Sequence, residues 1–196
     1  MSNSLNGAAN GLKKTVSVLT SVATMLSLSG AAYLAPMVAS AAVPSDYGLT
    51  EGNTISASGT NDPDIYIVNS FGYKRLFLNP VIFSFYGHLG GFANVKAVSA
   101  TARDAFPTTQ LFRNCETNEQ QVWAVEVTGE DTATLHKVTM SGDAAVAQDA
   151  NFFKKVFCVN NNEASWYAKS TVDYTALSQI PVYVRVPGAT PTPAAG

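Results

Sequence analysis

Apolar and polar positions along this chain come in short bursts rather than in one sustained period. The first burst is Thr15 to Leu34, which contains no charged residue and carries Val16, Val18, Leu19, Val22, Met25, Leu26 and Leu28 as an apolar core. Lys13 and Lys14 precede it, Pro36 breaks it, and Ala39-Ser40-Ala41 follows with the small side chains that signal peptidase accepts. Basic residues, apolar core and small-residue exit, in that order, predict a secretion signal over residues 1–41 with a mature start at Ala42. The same stretch could just span a bilayer as a retained anchor. Its Ser and Thr content and its Ala-rich exit favour cleavage.

Residues 42–62 are rich in Gly, Ser, Thr and Asn and lack a sustained period, which predicts a leader with one short strand at Thr54 to Ser58. At the other end, residues 184–196 alternate Pro with small side chains and cannot build a core, so they read as an extended linker or tail. A linker there implies a fragment, or the first module of a longer surface protein.

The bursts between these ends occur in one order, twice. Asp64 to Asn69 and Tyr73 to Leu78 flank Gly72 as a hairpin. Asn79-Pro80 then opens a helix, Asn as cap and Pro in the first position, running through the apolar Val81 to Tyr86 and stopping at Gly87. Val95 to Val98 is a strand, and Ser99 caps a short helix that Pro107 ends. In the second passage, Gln121 to Glu126 and Thr134 to Val138 form the hairpin, and Ser141 caps a helix through Asp149. Lys155 to Val159 is the later strand and Asn162 to Tyr167 the closing helix. Val122 answers to Ile65 and Val156 to Val95 at nearly the same spacing, so a few inserted residues separate the copies. The pattern predicts an α+β fold: two divergent β-hairpin–helix–strand–helix repeats, residues 63–110 and 111–183, packed as one small domain over 63–183.

Composition narrows the function. The 196 residues are 46% hydrophobic but only 13% charged, about half the share usual for a soluble globular domain, which suits an extracellular surface or a packed assembly. Net charge is −2, and −4 without residues 1–41. An acidic chain without a basic cluster speaks against nucleic-acid binding and against electrostatic adhesion to anionic lipid. Membrane contact is expected only through the signal segment.

Cys115 and Cys158 are the only cysteines, and in an exported chain two cysteines predict a disulfide, with a pair of buried thiols as the alternative. Neither they nor the isolated His88 and His136 suggest a metal site, and no cofactor is expected. His88 reads as a turn residue at a helix end and His136 as a solvent-facing strand residue. No Gly-x-Ser-x-Gly, Ser-x-x-Lys or His-Glu-x-x-His motif is present, and no catalytic residue is assigned. Asp62, Asp64, Glu126, Glu130 and Asp131 are the acids that a glycosidase or a calcium site would draw on, but ordinary turn chemistry accounts for Asn61-Asp-Pro-Asp64. Phe71, Phe77, Phe83, Phe85, Phe92, Phe152, Phe153 and Phe157 read as core. Tyr73-Lys74-Arg75, at a hairpin, is the best candidate for an exposed aromatic-basic patch, with Trp166 and Tyr167 as further ligand or subunit contacts.

Four short motifs also resemble a known module: Ile65-Tyr66-Ile67-Val68, Lys74-Arg75-Leu76-Phe77-Leu78-Asn79, Phe85-Tyr86-Gly87, and Phe92 to Ser99. The pattern is similar to a repeated β-hairpin/helix module of predicted S-layer-like surface proteins of ultra-small, candidate-phyla bacteria, which are often giants with Thr-Pro-rich linkers. The second passage departs from it: Val122 to Glu126 fits, but no Lys-Arg pair or Tyr-Gly follows. The resemblance implies a non-catalytic envelope protein, a structural or anchoring module whose partners are cell-wall polymer or other surface subunits. A wall-glycan or peptidoglycan-binding module is the alternative within binding proteins, and a secreted hydrolase the alternative from another class.

Overall fold

The computed structural model of the protein describes residues 42–60 and 62–183, and side-chain caps start each α-helix among the described residues. The expected signal over 1–41 and tail over 184–196 lie outside the described residues. Asn79 accepts from the Ile82 amide at 2.9 Å and opens α1 (Pro80–Ser84); Ser99 accepts from Ala102 at 3.1 Å and opens α2 (Ala100–Asp104). Ser141 does the same for α3 (Gly142–Gln148), and Asn160 for α4 (Asn161–Trp166). A cap of this kind satisfies an amide that the first helical turn leaves without a backbone partner, typically worth about 1 kcal/mol.

The fold is α+β, with two mixed sheets. In the first, β1 (Thr54–Ala57), β2 (Ile65–Val68) and β3 (Lys74–Phe77) form an antiparallel meander, and β4 (Lys96–Val98) returns parallel to β1. The β2–β3 turn is set by Asn69, whose side chain accepts from the Phe71 and Tyr73 amides, and by Gly72 at φ 78°. In the second sheet, β5 (Leu111–Asn114), β6 (Trp123–Val127) and β7 (Ala133–Lys137) form the meander, and β8 (Val156–Val159) returns parallel to β5. A two-residue strand, β9 (Ala168–Lys169), runs parallel along the free edge of β7.

Registers relate the two sheets more closely than strand order alone. One fixed offset along the chain, the one that takes Thr54 to Leu111, carries β1 and β2 onto β5 and β6. A slightly larger one, which takes Lys74 to Leu135, carries β3, β4 and α2 onto β7, β8 and α4. Backbone hydrogen bonds move with them. Ser58 N to Val98 O becomes Cys115 N to Val159 O, Val68 N to Asn53 O becomes Val125 N to Gln110 O, and Thr109 N to Lys74 O becomes Ser170 N to Leu135 O. Even the isolated Lys74–Thr108 bridge has its counterpart in the Leu135–Lys169 pair of β7 and β9.

Alternation along the strands assigns the faces. Tyr66 and Val68 of β2, with Ile55 and the α2-flanking Phe106, form a core under Leu49 and the leader. Ile65 and Ile67 point the other way, onto α1. Helix α1, apolar nearly all round in sequence, is buried on one side only: Ile82 and Phe83, with Tyr86 just beyond the helix, join the cluster of Phe112, Val125, Leu135, Phe157 and Val159 of the second sheet, while Pro80, Val81 and Ser84 are exposed. The far face of that sheet, Leu111, Ala124 and Val138, packs under α3, Phe152 and the segment carrying Tyr174, Leu177 and Ile180.

Three expectations change. The short strand expected at Thr54 to Ser58 is present as Thr54–Ala57 but lies inside the first sheet and not in a leader, and Leu111–Asn114, to which the pattern assigned no element, is its counterpart; each has a strand on both sides. The unit is therefore a three-stranded meander with a parallel return. Phe71, Phe92 and Phe153 are exposed rather than core, whereas Phe77, Phe83, Phe152 and Phe157 are buried.

Cys115 and Cys158 form the expected disulfide, their Cα atoms 5.3 Å apart, one just beyond β5 and the other on β8. On the chain-entropy estimate it stabilises by about 4 kcal/mol. Ser58 and Ala97 occupy the same two places in the first half. Ser58→Cys with Ala97→Cys is expected to form a second disulfide on oxidation, detected by non-reducing mass mapping. It should raise stability by up to about 4 kcal/mol over the reduced double variant.

Candidate functional site

Lys74 and Arg75 are neighbours on β3, so strand alternation sends them to opposite faces, and both faces are covered. The aromatic-basic patch expected at Tyr73-Lys74-Arg75 is therefore not at the surface: all three side chains are buried. A Lys-Arg pair beside a turn reads as polar surface only while the elements packed over the strand are unknown.

Arg75, 1% exposed, reaches Glu163 of α4, 0% exposed, with Nη1 donating to Oε1 at 2.8 Å. The tyrosines complete the carboxylate's shell: Tyr167 OH donates to Oε1 at 3.0 Å and Tyr86 OH donates to Oε2. The guanidinium lies over the Phe77 ring at 4.4 Å and over Tyr86 and Phe112 at 5.2 Å each. Asn160 ties in α1: it caps α4, donates Nδ2 to Phe85 O at 3.0 Å, and gives its amide to Tyr86 OH. Burial lowers the guanidinium pKa, yet the adjacent Glu163 carboxylate holds it above its ordinary value. Burial raises the hydroxyls of Tyr86 and Tyr167, and Glu163 raises both further, so both stay protonated as donors. This constellation joins the first meander to α4, and within it Arg75 Nε is buried without a hydrogen-bond partner.

Lys74 points to the other face. Its Nζ donates to Arg103 O at 3.0 Å and to Phe106 O, and it lies 5.2 Å from the Tyr66 ring centre. Burial pushes the ammonium down to about 8, with Asp104 pulling the other way. Around it, the Arg103 guanidinium bridges Asp62 and Asp104, and Asp64 accepts from Tyr66 OH at 3.2 Å and from Tyr183 OH at 3.4 Å. In this half the space over the β2 aromatic is filled by the protein's own side chains.

At the same place in the second half the surface is open. A small groove of about 70 Å³ runs between the β6 aromatic Trp123 and α4. Glu119, Ser165, Lys169 and Tyr167 line it over a floor of Phe112 and Leu135, and the Lys169 ammonium sits 5.0 Å from the Trp123 ring. The groove was not legible in the sequence, because Glu119 and Lys169 come from a loop and from the two-residue β9.

Other candidates are placed as follows. Trp166 is 46% exposed and edge-on to Phe85, while Tyr167 is buried in the carboxylate shell. His88 is exposed in a 3-10 turn after α1, as expected of a turn residue. His136 is buried instead of solvent-facing: Nδ1 meets Val172 O at 2.9 Å, Nε2 meets Glu126 Oε2 at 2.8 Å, and the ring stacks on Tyr174 at 4.2 Å. The segment after β9 covers it, so the strand face that alternation assigned to water is roofed. Glu130 and Asp131 lie in the β6–β7 turn, where Asp131 O accepts from Asn79 Nδ2. Among the described residues no three His, Cys, Asp or Glu side chains gather as a metal site, and no helix is long and apolar enough to cross a membrane.

No family model, curated protein or solved structure matches the chain.

Glu163→Gln is expected to cost about 3–5 kcal/mol by leaving Arg75 buried without its counter-charge, whereas Arg75→Met with Glu163→Leu should cost much less than the two single changes together. Urea denaturation of the three variants measures this. Lys74 sets a pH dependence of known sign. The folded ammonium loses its proton near 8 and the unfolded one near 10.5, so between them the unfolded state binds more protons and stability rises with pH. Between pH 8 and 9, below the range in which unfolded tyrosines ionise, the gain should be about 1 kcal/mol, and Lys74→Met should lack it.

Proposed function

We propose that the chain is an exported, non-catalytic module of the cell envelope, a two-unit building block or anchor of an S-layer-like coat. The observation that carries this reading is the pair of fixed offsets relating two sheets of the same connectivity, Thr54 to Leu111 over the first two strands and Lys74 to Leu135 over the elements that follow. A duplicated unit of this size buries its helix against its twin and becomes a rigid block, as solenoid and coat modules do.

Two further observations support it. The disulfide is that of an oxidising compartment, which agrees with the secretion signal read at the start of the chain. The interior charged groups Arg75, Glu163 and Lys74 are engaged in bonds within the fold, which suits a load-carrying part. The resemblance to S-layer-like surface modules points the same way. Purified protein starting at Ala42 is expected to sediment with isolated wall sacculi or to form ordered sheets or filaments in electron micrographs. Neither behaviour, together with turnover of wall glycan by the protein alone, would overturn the reading.

A further inference from the structure

The two halves differ most at one equivalent place, a space that one half fills and the other leaves open. The offset of the first two strands carries Asp62 onto Glu119 and Tyr66 onto Trp123; the offset of the later elements carries Arg103 onto Ala164 and Asp104 onto Ser165. The loop between β1 and β2 has a twin between β5 and β6, and α2 and α4 begin from equivalent caps at Ser99 and Asn160. In the first half the Arg103 side chain lies across this space and pairs with Asp62 and Asp104. In the second half the residue that would supply the guanidinium is an alanine, and the space is the groove over Trp123.

An ammonium is already present in both halves: Lys74 lies 5.2 Å from the Tyr66 ring and Lys169 lies 5.0 Å from the Trp123 ring. What the second half lacks is the Arg103 guanidinium and the Asp104 carboxylate beside it, which are Ala164 and Ser165 there. Glu119 stands at the groove where Asp62 receives Arg103, and it takes part in none of the ion pairs among the described residues.

We propose that this groove is a binding site for an arginine side chain of a protein partner, pairing with the Glu119 carboxylate as Arg103 pairs with Asp62 in the first half, beside the Trp123 ring and the Lys169 ammonium. A planar guanidinium suits both surfaces, pairing with a carboxylate at its edge and stacking on an aromatic face. This goes beyond the envelope reading and does not depend on it.

The test follows Trp123 fluorescence in a Trp166→Phe background, with N-acetyl-arginine methylamide as the probe. Saturable quenching at millimolar probe is expected, weakened about tenfold or more in Glu119→Gln, which removes a charge-assisted bond worth at least that factor. Ala164→Arg with Ser165→Asp rebuilds the first half's plug, and is expected to abolish the response and raise the melting temperature. N-acetyl-lysine methylamide should bind more weakly, and N-acetylglucosamine oligomers not at all. Equal quenching in the parent and in Glu119→Gln, no response to the arginine probe, or a response to the sugar oligomers instead would each overturn the proposal. The Glu119→Gln comparison stands even if the double variant does not fold, since Glu119 is at the surface of the groove.

Discussion

Everything in this fold leans on one buried carboxylate. Glu163 sits fully out of water in α4, and an isolated charge there would be prohibitive. It is tolerated because Arg75 comes across from the first sheet and two tyrosine hydroxyls complete its shell. Each half thus contains a group that only the other half makes tolerable: an arginine without a counter-charge in one, a glutamate without a cation in the other. Apolar burial around α1 supplies cohesion, while the ion pair fixes how the second sheet is set against the helix. A slipped or rotated packing would bury the same carbon surface and strand both charges.

The parts of the fold that were legible in the sequence are those specified by neighbours in the chain. Caps at Asn79, Ser99 and Ser141 and the turn at Gly72 are local chemistry, and the correspondence of Ile65 with Val122 and of Val95 with Val156 matches the registers of the sheets. What was not legible is specified by neighbours in space. The strand at Thr54–Ala57 was expected but its place inside a sheet was not, and Leu111–Asn114 carried no strand reading; parallel and antiparallel partners reach both from either side. Lys74 and Arg75 look like a wet edge until α1, α4 and the α2 end are placed over them. His136 reads as solvent-facing for the same reason, since its cover, the segment of Val172 and Tyr174, comes from much further along the chain.

The two halves have kept the frame and exchanged the contents. Where the first sheet has Ser58 and Ala97, the second has a disulfide; where the first half fills a space with Arg103, the second leaves a groove. Main-chain bonds tolerate such exchange because they depend on register and not on side chains. The second half carries the disulfide, and the first fills the corresponding space with its own side chains.

Helix α3 departs from α1 on its equivalent side. Ile82, Phe83 and the following Tyr86 meet the second sheet, and laying cap Asn79 over cap Ser141 turns them into Ala144, Ala145 and Gln148. A third sheet laid on α3 would find neither the aliphatic wedge nor the phenol that binds the second sheet to α1, and the Tyr174 segment already occupies part of that side. The side of α3 equivalent to the sheet-binding side of α1 is thus lined by small and polar side chains.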